Sequence, residues 1–227
     1  MKTTGTNPDL EILFEDNHLL AVCKPAGVLS QEDRTGDPDI LTLGKEYLKK
    51  EYKKPGNVFL GLLHRLDKPV SGVMILAKTS KSAARISEQI RQRSIKKSYL
   101  AVVQGDPQDF NYLTHHLLKD ETTNLVTVVE ERTKGAKRAE LMYQTVERKN
   151  GMALLKIKLI TGRAHQIRVQ LSEMNLPILG DKKYGSNGIH NIALHAHEIE
   201  FSHPTLKKTI SIEAIPPLGE PWSFFKM

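Results

Sequence analysis

The chain has 227 residues, 39% of them hydrophobic, which suffices for one large domain or two small ones with a real core. Lysine and arginine outnumber aspartate and glutamate by 33 to 26, and the formal charge of +7 favours an anionic partner, nucleic acid first. The lone Cys23, within LLAVC, excludes a disulfide framework, a CxxC site and a zinc ribbon, while the lack of a hydrophobic leader core or of any run near 18 apolar residues speaks against secretion and membrane spanning, so a cytoplasmic protein with no membrane association is expected.

Residues 1–9 are polar and turn-rich and read as a tail; residues 10–227 read as one domain. EILFED and HLLAVCKP predict two short strands, closed by the turn Lys24, Pro25, Ala26 and Gly27. Residues 28–39 read as loop. ILTLGKEYLKKEYKK has helical spacing in Leu41, Lys45 and Leu48, a cationic end that suits a helix C-terminus, and a stop at Pro55 and Gly56. VMILAKT predicts a strand, and SKSAARISEQIRQR a helix capped by Ser80 or Ser82 with Ala84, Ile86 and Ile90 facing inward. KKSYLAVVQG, TNLVTVVEE, RAELMYQTVERK, MALLKIKLI and IALHAHEIEFS read as further strands, with residues 108–135 as an insert. So many strands with so few helices between them predict an α+β fold, with long antiparallel sheets in place of a doubly wound βα repeat.

Three segments concentrate chemistry. HRLDKPVSG sets Asp67 between the apolar runs FLGLL and GVMILA, at the edge of a core, where a carboxylate needs a cationic partner or a chemical task. A turn residue before Pro69 is the plainer reading of that position. In LITGRAHQIRVQLSEM, Thr161 reads as N-cap and Ala164, Ile167, Leu171 and Met174 as a buried stripe; Arg168 projects from its flank toward a neighbouring cleft, and Arg163 in the first turn offers an anion site. In IKKSYLAVV, alternation puts Tyr99 on one face with Lys97 and Ala101, where a tyrosine can stack on a base, handle a proton or merely fill the core. The basic run RQRSIKK, residues 91–97, is either a solvated face or a phosphate contact. His195, His197 and His203 lack an acid or cysteine at zinc spacing, so no metal is expected.

HRLDKPVSG, KKSYLAVV, TGRAHQIRVQL, GDKKYG and LHAHEIEFSHP, in that order and with KPAG near the start, resemble the pseudouridine synthases of the RluA family over about residues 10–215. The resemblance implies a mixed, mainly antiparallel bisected sheet with flanking helices and a central catalytic cleft. It implies an isomerase that breaks the N-glycosidic bond of a uridine in RNA, rotates the uracil and rejoins it through C5. That redox-neutral chemistry needs no cofactor and no metal, and the chain carries no Gly-rich dinucleotide loop. By motif, Asp67 is the catalytic carboxylate, acting on ribose C1′, on the uracil ring or as a base toward the ribose. Arg168 is its ion-pair partner, and Tyr99 stacks on the uracil. Arg65 enters the RNA when the target base leaves its stack; His64, Leu66 and Arg163 complete the substrate-binding set. His64 is expected to orient the loop by hydrogen bonding without titrating. The expected partner is structured RNA, ribosomal or transfer RNA, and the expected state a monomer. An extra N-terminal RNA-binding domain, common in the family, has no room before Asp67, so target choice would fall to the catalytic domain, to its insert or to a partner. The rival readings are a non-catalytic RNA-binding protein that keeps the fold, and a metal-dependent nuclease or zinc deaminase; the latter lacks its HxE and PCxxC ligands here.

Overall fold

The computed structural model of the chain describes residues 10–185 and 191–226; the tail expected over residues 1–9 lies outside them. In chain order come β1 (Glu11–Glu15), β2 (Leu19–Lys24), α1 (Ile40–Glu51), β3 (Gly61–Leu62), β4 (Ser71–Ala77), α2 (Ser80–Arg91) and β5 (Lys96–Gln104). There follow β6 (Phe110–Asp120), β7 (Leu125–Val129), β8 (Lys137–Lys149), β9 (Met152–Leu159), α3 (Gln166–Glu173), β10 (Leu194–Ser202) and β11 (Thr209–Glu213), with a 3-10 turn at Trp222–Phe224. The strands form one sheet in the order β1-β2-β4-β10-β5-β9-β8-β6-β7, with β3 added to β4 and β11 to β10. All pairings are antiparallel except β4 with β10, so the sheet is mixed and mainly antiparallel, as the strand pattern and the resemblance predict. No helix among the described residues is long and apolar enough to cross a membrane.

The parallel joint positions everything that follows. It is only two pairs long, His195 with Ser71 and Ala196 with Gly72, and Ala196 in turn pairs Tyr99 on β5. Gly72 has φ +119°, and a Cβ there would lie 2.2 Å from the Ala196 carbonyl oxygen, so only glycine lets the two strands meet. The loop that ends in β4 is thereby delivered beside Tyr99. β4 itself, SGVMILA, is buried at every position, the run expected of a strand covered on both faces.

Several local expectations are corrected. In α1 the buried stripe is Ile40, Leu43, Gly44 and Leu48, while Lys45 is exposed, because Asp39 caps the helix and sets its phase. α2 is capped by Thr79, whose hydroxyl accepts from Ser82 N at 3.1 Å. Ser82 and Ile86 therefore face inward, Ile90 is half-buried, and Ala84 is exposed. α3 begins only at Gln166, after a left-handed His165 with φ 50°, which leaves Ala164 and Met174 exposed and Ile167 and Leu171 in the core. The expected insert at 108–135 is largely the hairpin β6–β7, which extends the sheet along β8.

Candidate active site

Asp67 sits in the loop between β3 and β4, and that loop is pinned by groups from the first 30 residues. The Ser30 hydroxyl donates to the Leu66 carbonyl at 2.8 Å and accepts from Leu66 N at 3.0 Å. The wholly buried Lys24 ammonium donates to the carbonyls of Val28 at 2.7 Å, Lys68 at 3.0 Å and Pro25 at 3.1 Å, and Gly27 N donates to the Lys68 carbonyl. The KPAG turn and the Asp67 turn are thus stapled together at a buried cation. Burial draws that ammonium down to about 8, with the nearby Asp67 charge pulling the other way.

The carboxylate of Asp67 is 28% exposed and faces a buried guanidinium: Arg168 Nη1 donates to its Oδ2 at 3.0 Å. Arg168 also donates through Nε to Asp181 Oδ2 at 2.8 Å and through Nη2 to Asp181 Oδ1 at 2.7 Å. Asp181 is almost fully buried, so one cation bridges an internal carboxylate and a partly open one. Burial works to lower the Arg168 pKa, yet the bonds and charge of Asp181, followed by those of Asp67, carry it above its ordinary value. With Nε and Nη2 held bidentately by Asp181, the guanidinium plane is fixed and Nη1 is aimed at the Asp67 carboxylate.

A second line of support reaches Asp67 through His165. The Tyr184 hydroxyl accepts from Val126 N at 3.0 Å and lies 2.7 Å from His165 Nδ1; Nε2 of the same ring is 3.9 Å from Asp67 Oδ2. The Tyr184 ring lies under the Arg168 guanidinium at 5.1 Å. Burial lowers the His165 pKa, against the pull of Asp67, so this imidazole is held neutral beside the carboxylate. Tyr99 is buried, and burial together with the Asp67 charge raises its phenol well above the ordinary range. It therefore presents a ring and an intact hydroxyl to the same place.

Arg65 is exposed and makes no hydrogen bond or ion pair among the described residues. Leu66 belongs to the core and contributes through its backbone. His64 Nε2 accepts from Ile75 N at 3.1 Å, tying the loop to β4, and burial, aided by the Lys97 charge, holds its pKa well below the usual value. Arg163 is not in a helical turn: its N–H donates to Gln166 Oε1 at 3.0 Å and its Nε to the Arg138 carbonyl at 3.0 Å, tying it to β8. His195, His197 and His203 are each engaged within the fold. His195 bonds Ser71 Oγ and the Ala214 carbonyl, His197 the same carbonyl, and His203 pairs with Asp16. Among the described residues no three histidine, cysteine or acidic side chains cluster as a metal would require. The sequence reading left Asp181, His165, Tyr184 and Lys24 without roles, although KPAG and GDKKYG contain three of the four.

The chain can be set beside known proteins. A family model described as RNA pseudouridylate synthase matches residues 18–173. The ribosomal large subunit pseudouridine synthase C of Buchnera aphidicola subsp. Acyrthosiphon pisum (strain APS) is 36% identical over 221 residues, covering 92% of this chain and 68% of that protein. The protein of the same name from Yersinia pestis is 35% identical over 213 residues, covering 89% and 64%. The chain spans about two thirds of the length of these curated relatives. Among solved structures, human RNA Pseudouridylate Synthase Domain Containing 4 superposes with a TM-score of 0.78 at 25% identity, covering 92% of this chain and 89% of that one. Human RNA Pseudouridylate Synthase Domain Containing 1, at 22% identity and a TM-score of 0.74, shares the fold.

Proposed function

The chain belongs to the RNA pseudouridylate synthase family, and on that premise we propose that it isomerises uridine to pseudouridine within structured ribosomal RNA, with Asp67 as the catalytic carboxylate. The observation that carries the reading is the half-open Asp67 carboxylate, oriented by the buried Arg168–Asp181 pair beside the ring of Tyr99. In the reaction the N1–C1′ bond breaks, the uracil turns, a C5–C1′ bond forms, and the C5 proton is lost while N1 gains one. Asp67 can attack C1′, attack the uracil ring, or first remove a ribose proton; each route needs an ionised, rigidly aimed carboxylate. The Arg168 contact supplies the aim.

Tyr99, held protonated, supplies a stacking face for the uracil and a hydroxyl that donates a hydrogen bond. Arg65, exposed and with no partner among the described residues, can enter the gap left by the flipped base, where a guanidinium can stack and bond to the orphaned neighbours. Ribosomal RNA is preferred over transfer RNA because the relatives at 35–36% identity are named for the ribosomal large subunit. Pseudouridine mapping of cellular RNA with and without this protein tests activity and target together. At least one ribosomal site should vanish in its absence and return with the wild-type chain but not with Asp67→Asn; an unchanged map would overturn the proposal.

A further inference from the structure

Asp67, Tyr99 and Arg168 occupy one side of the sheet, and strand alternation puts a different set of side chains on the other. Cross-strand pairing makes that set explicit. In one row Lys156 of β9 pairs Gln144 of β8, which pairs Phe110 of β6; in the next, Lys158 pairs Met142, which pairs Tyr112. Directly opposed residues of antiparallel strands share a face, so two lysines and two aromatics stand on one surface. Each row repeats after two residues, about 7 Å, and each lysine stands two strands, about 10 Å, from the aromatic of its row.

This surface is open. Phe110 and Tyr112 are 57% and 45% exposed, an uncommon state for two aromatics on one strand face. Lys156 and Lys158 are exposed and form no ion pair with the described residues. The rows border a depression of about 300 Å³, also lined by Lys96 and Ser98. The acids at its β10 rim are engaged: Lys96 Nζ lies 2.5 Å from Glu200 Oε1, and Ser211 donates to Glu198 Oε1 at 2.6 Å. Ser98 Oγ, buried at the rim of the lysine rows, has no hydrogen-bond partner within the described structure. Lys96 belongs to the basic run at residues 91–97, so the end of that run borders this face.

We propose that this face is a platform for single-stranded RNA, with successive bases stacked on Phe110 and Tyr112 and their phosphates over Lys156 and Lys158. The identity of the polymer rests on the RNA-directed reading above; the geometry is independent of it. Flat aromatics at alternate positions of an open strand are how sheet surfaces hold unpaired bases, and a lysine at each row supplies one counter-charge per nucleotide. Stacking between neighbouring base pairs in a duplex would withhold the base faces from the aromatics, and a partly acidic rim confines the backbone to the lysine rows. A segment flanking the target could wrap the sheet edge and be held here while the target nucleotide occupies the Asp67 side, which would give the chain a means of choosing RNA away from the reacting base.

The test is fluorescence titration of a labelled eight-residue oligouridylate into wild-type protein, Lys156→Glu/Lys158→Glu and Phe110→Ala/Tyr112→Ala, at several salt concentrations. Both double variants should weaken binding at least tenfold. Only the lysine variant should make the salt dependence shallower, by about 1.4 in log–log slope for two single-strand phosphates. All four side chains are exposed, and Glu140, which accepts from the Tyr112 hydroxyl at 2.8 Å, keeps Arg138, so melting temperatures should fall only slightly; as a check free of any variant, ultraviolet cross-linking of wild type to the same oligomer should mark the peptide carrying Phe110 and Tyr112. A loss under threefold for either variant, cross-links confined to the Asp67 loop, or equal binding of a duplex of the same length would overturn the platform. Pseudouridine formation is not the readout, so the platform can fail with the isomerase reading intact, and the reverse.

Discussion

Asp67 and Asp181 contact opposite sides of one guanidinium, so the same chemical change at each should separate reaction from architecture. The Asp181 side chain is 1% exposed and takes two Arg168 hydrogen bonds; the Asp67 side chain is 28% exposed and takes one. Breaking a buried pair by removing one charge costs about 3–5 kcal/mol, and because Arg168 keeps Asp67, Asp181→Asn should fall near the lower bound, about 3 kcal/mol. Solvent screens the Asp67 contact, so Asp67→Asn should lose no more than about 1 kcal/mol. For a chain of this size each kcal/mol shifts Tm by about 2–4 °C, giving a loss of about 6–12 °C for Asp181→Asn and at most about 4 °C for Asp67→Asn. Activity should run the opposite way. Asp67→Asn abolishes single-turnover pseudouridine formation and leaves RNA affinity within a few fold, while Asp181→Asn retains a reduced rate, because its Arg168 can still meet Asp67 with less certain aim. Calorimetry and single-turnover assays on the two proteins check both orders. Equal Tm losses, or an Asp67→Asn enzyme with a substantial fraction of the wild-type rate, would refute the division of labour.

Arg65→Ala should slow reaction most on a target uridine stacked in an intact stem-loop and least on the same sequence with its stem disrupted; equal fold-losses on the two RNAs would show that Arg65 braces the protein and does not replace the base. Full activity should survive exhaustive chelation, since His195, His197 and His203 are committed to Ser71, the Ala214 carbonyl and Asp16; loss in EDTA restored by zinc, on an RNA that keeps its fold without metal, would reverse that view. Burial draws the His195 pKa down from 6.5 to about 4, so between those values the unfolded chain binds a proton that the folded chain refuses. Stability should therefore fall as pH drops through that window, by up to about 3 kcal/mol from this group, and urea titrations of His195→Gln at pH 7 and pH 4.5 should show a smaller pH dependence than wild type. An identical pH dependence in the two proteins would remove His195 as its source.

The difference between what could and could not be read from the chain follows from how each feature is encoded. β4, β5 and β9 carry their burial in their own residues, as a continuous apolar run or as alternation, and were legible for that reason. β6 buries only Leu113 and Leu117, four residues apart, a spacing that reads as helix if anything; β8 and β7 on either side make it a strand. α3 misled in the same way: the Thr161 hydroxyl accepts from Glu140 N and donates to the Gln166 side chain, a cap-like duty performed five residues before the helix begins. In the site, Asp67 and Arg168 were visible because a carboxylate at a core edge asks for a cation and the motifs offered one. Asp181 is hidden because Asp67 already balances the Arg168 charge. Charge is the weaker criterion for arginine: a buried guanidinium has five N–H groups to satisfy, and one partly exposed carboxylate accepting through a single oxygen cannot satisfy them. The unfilled donors of an arginine on a buried helix face therefore predict a second acceptor. The only acid of GDKKYG, 13 residues beyond Arg168 and directly after a glycine, stood within the resemblance to supply it.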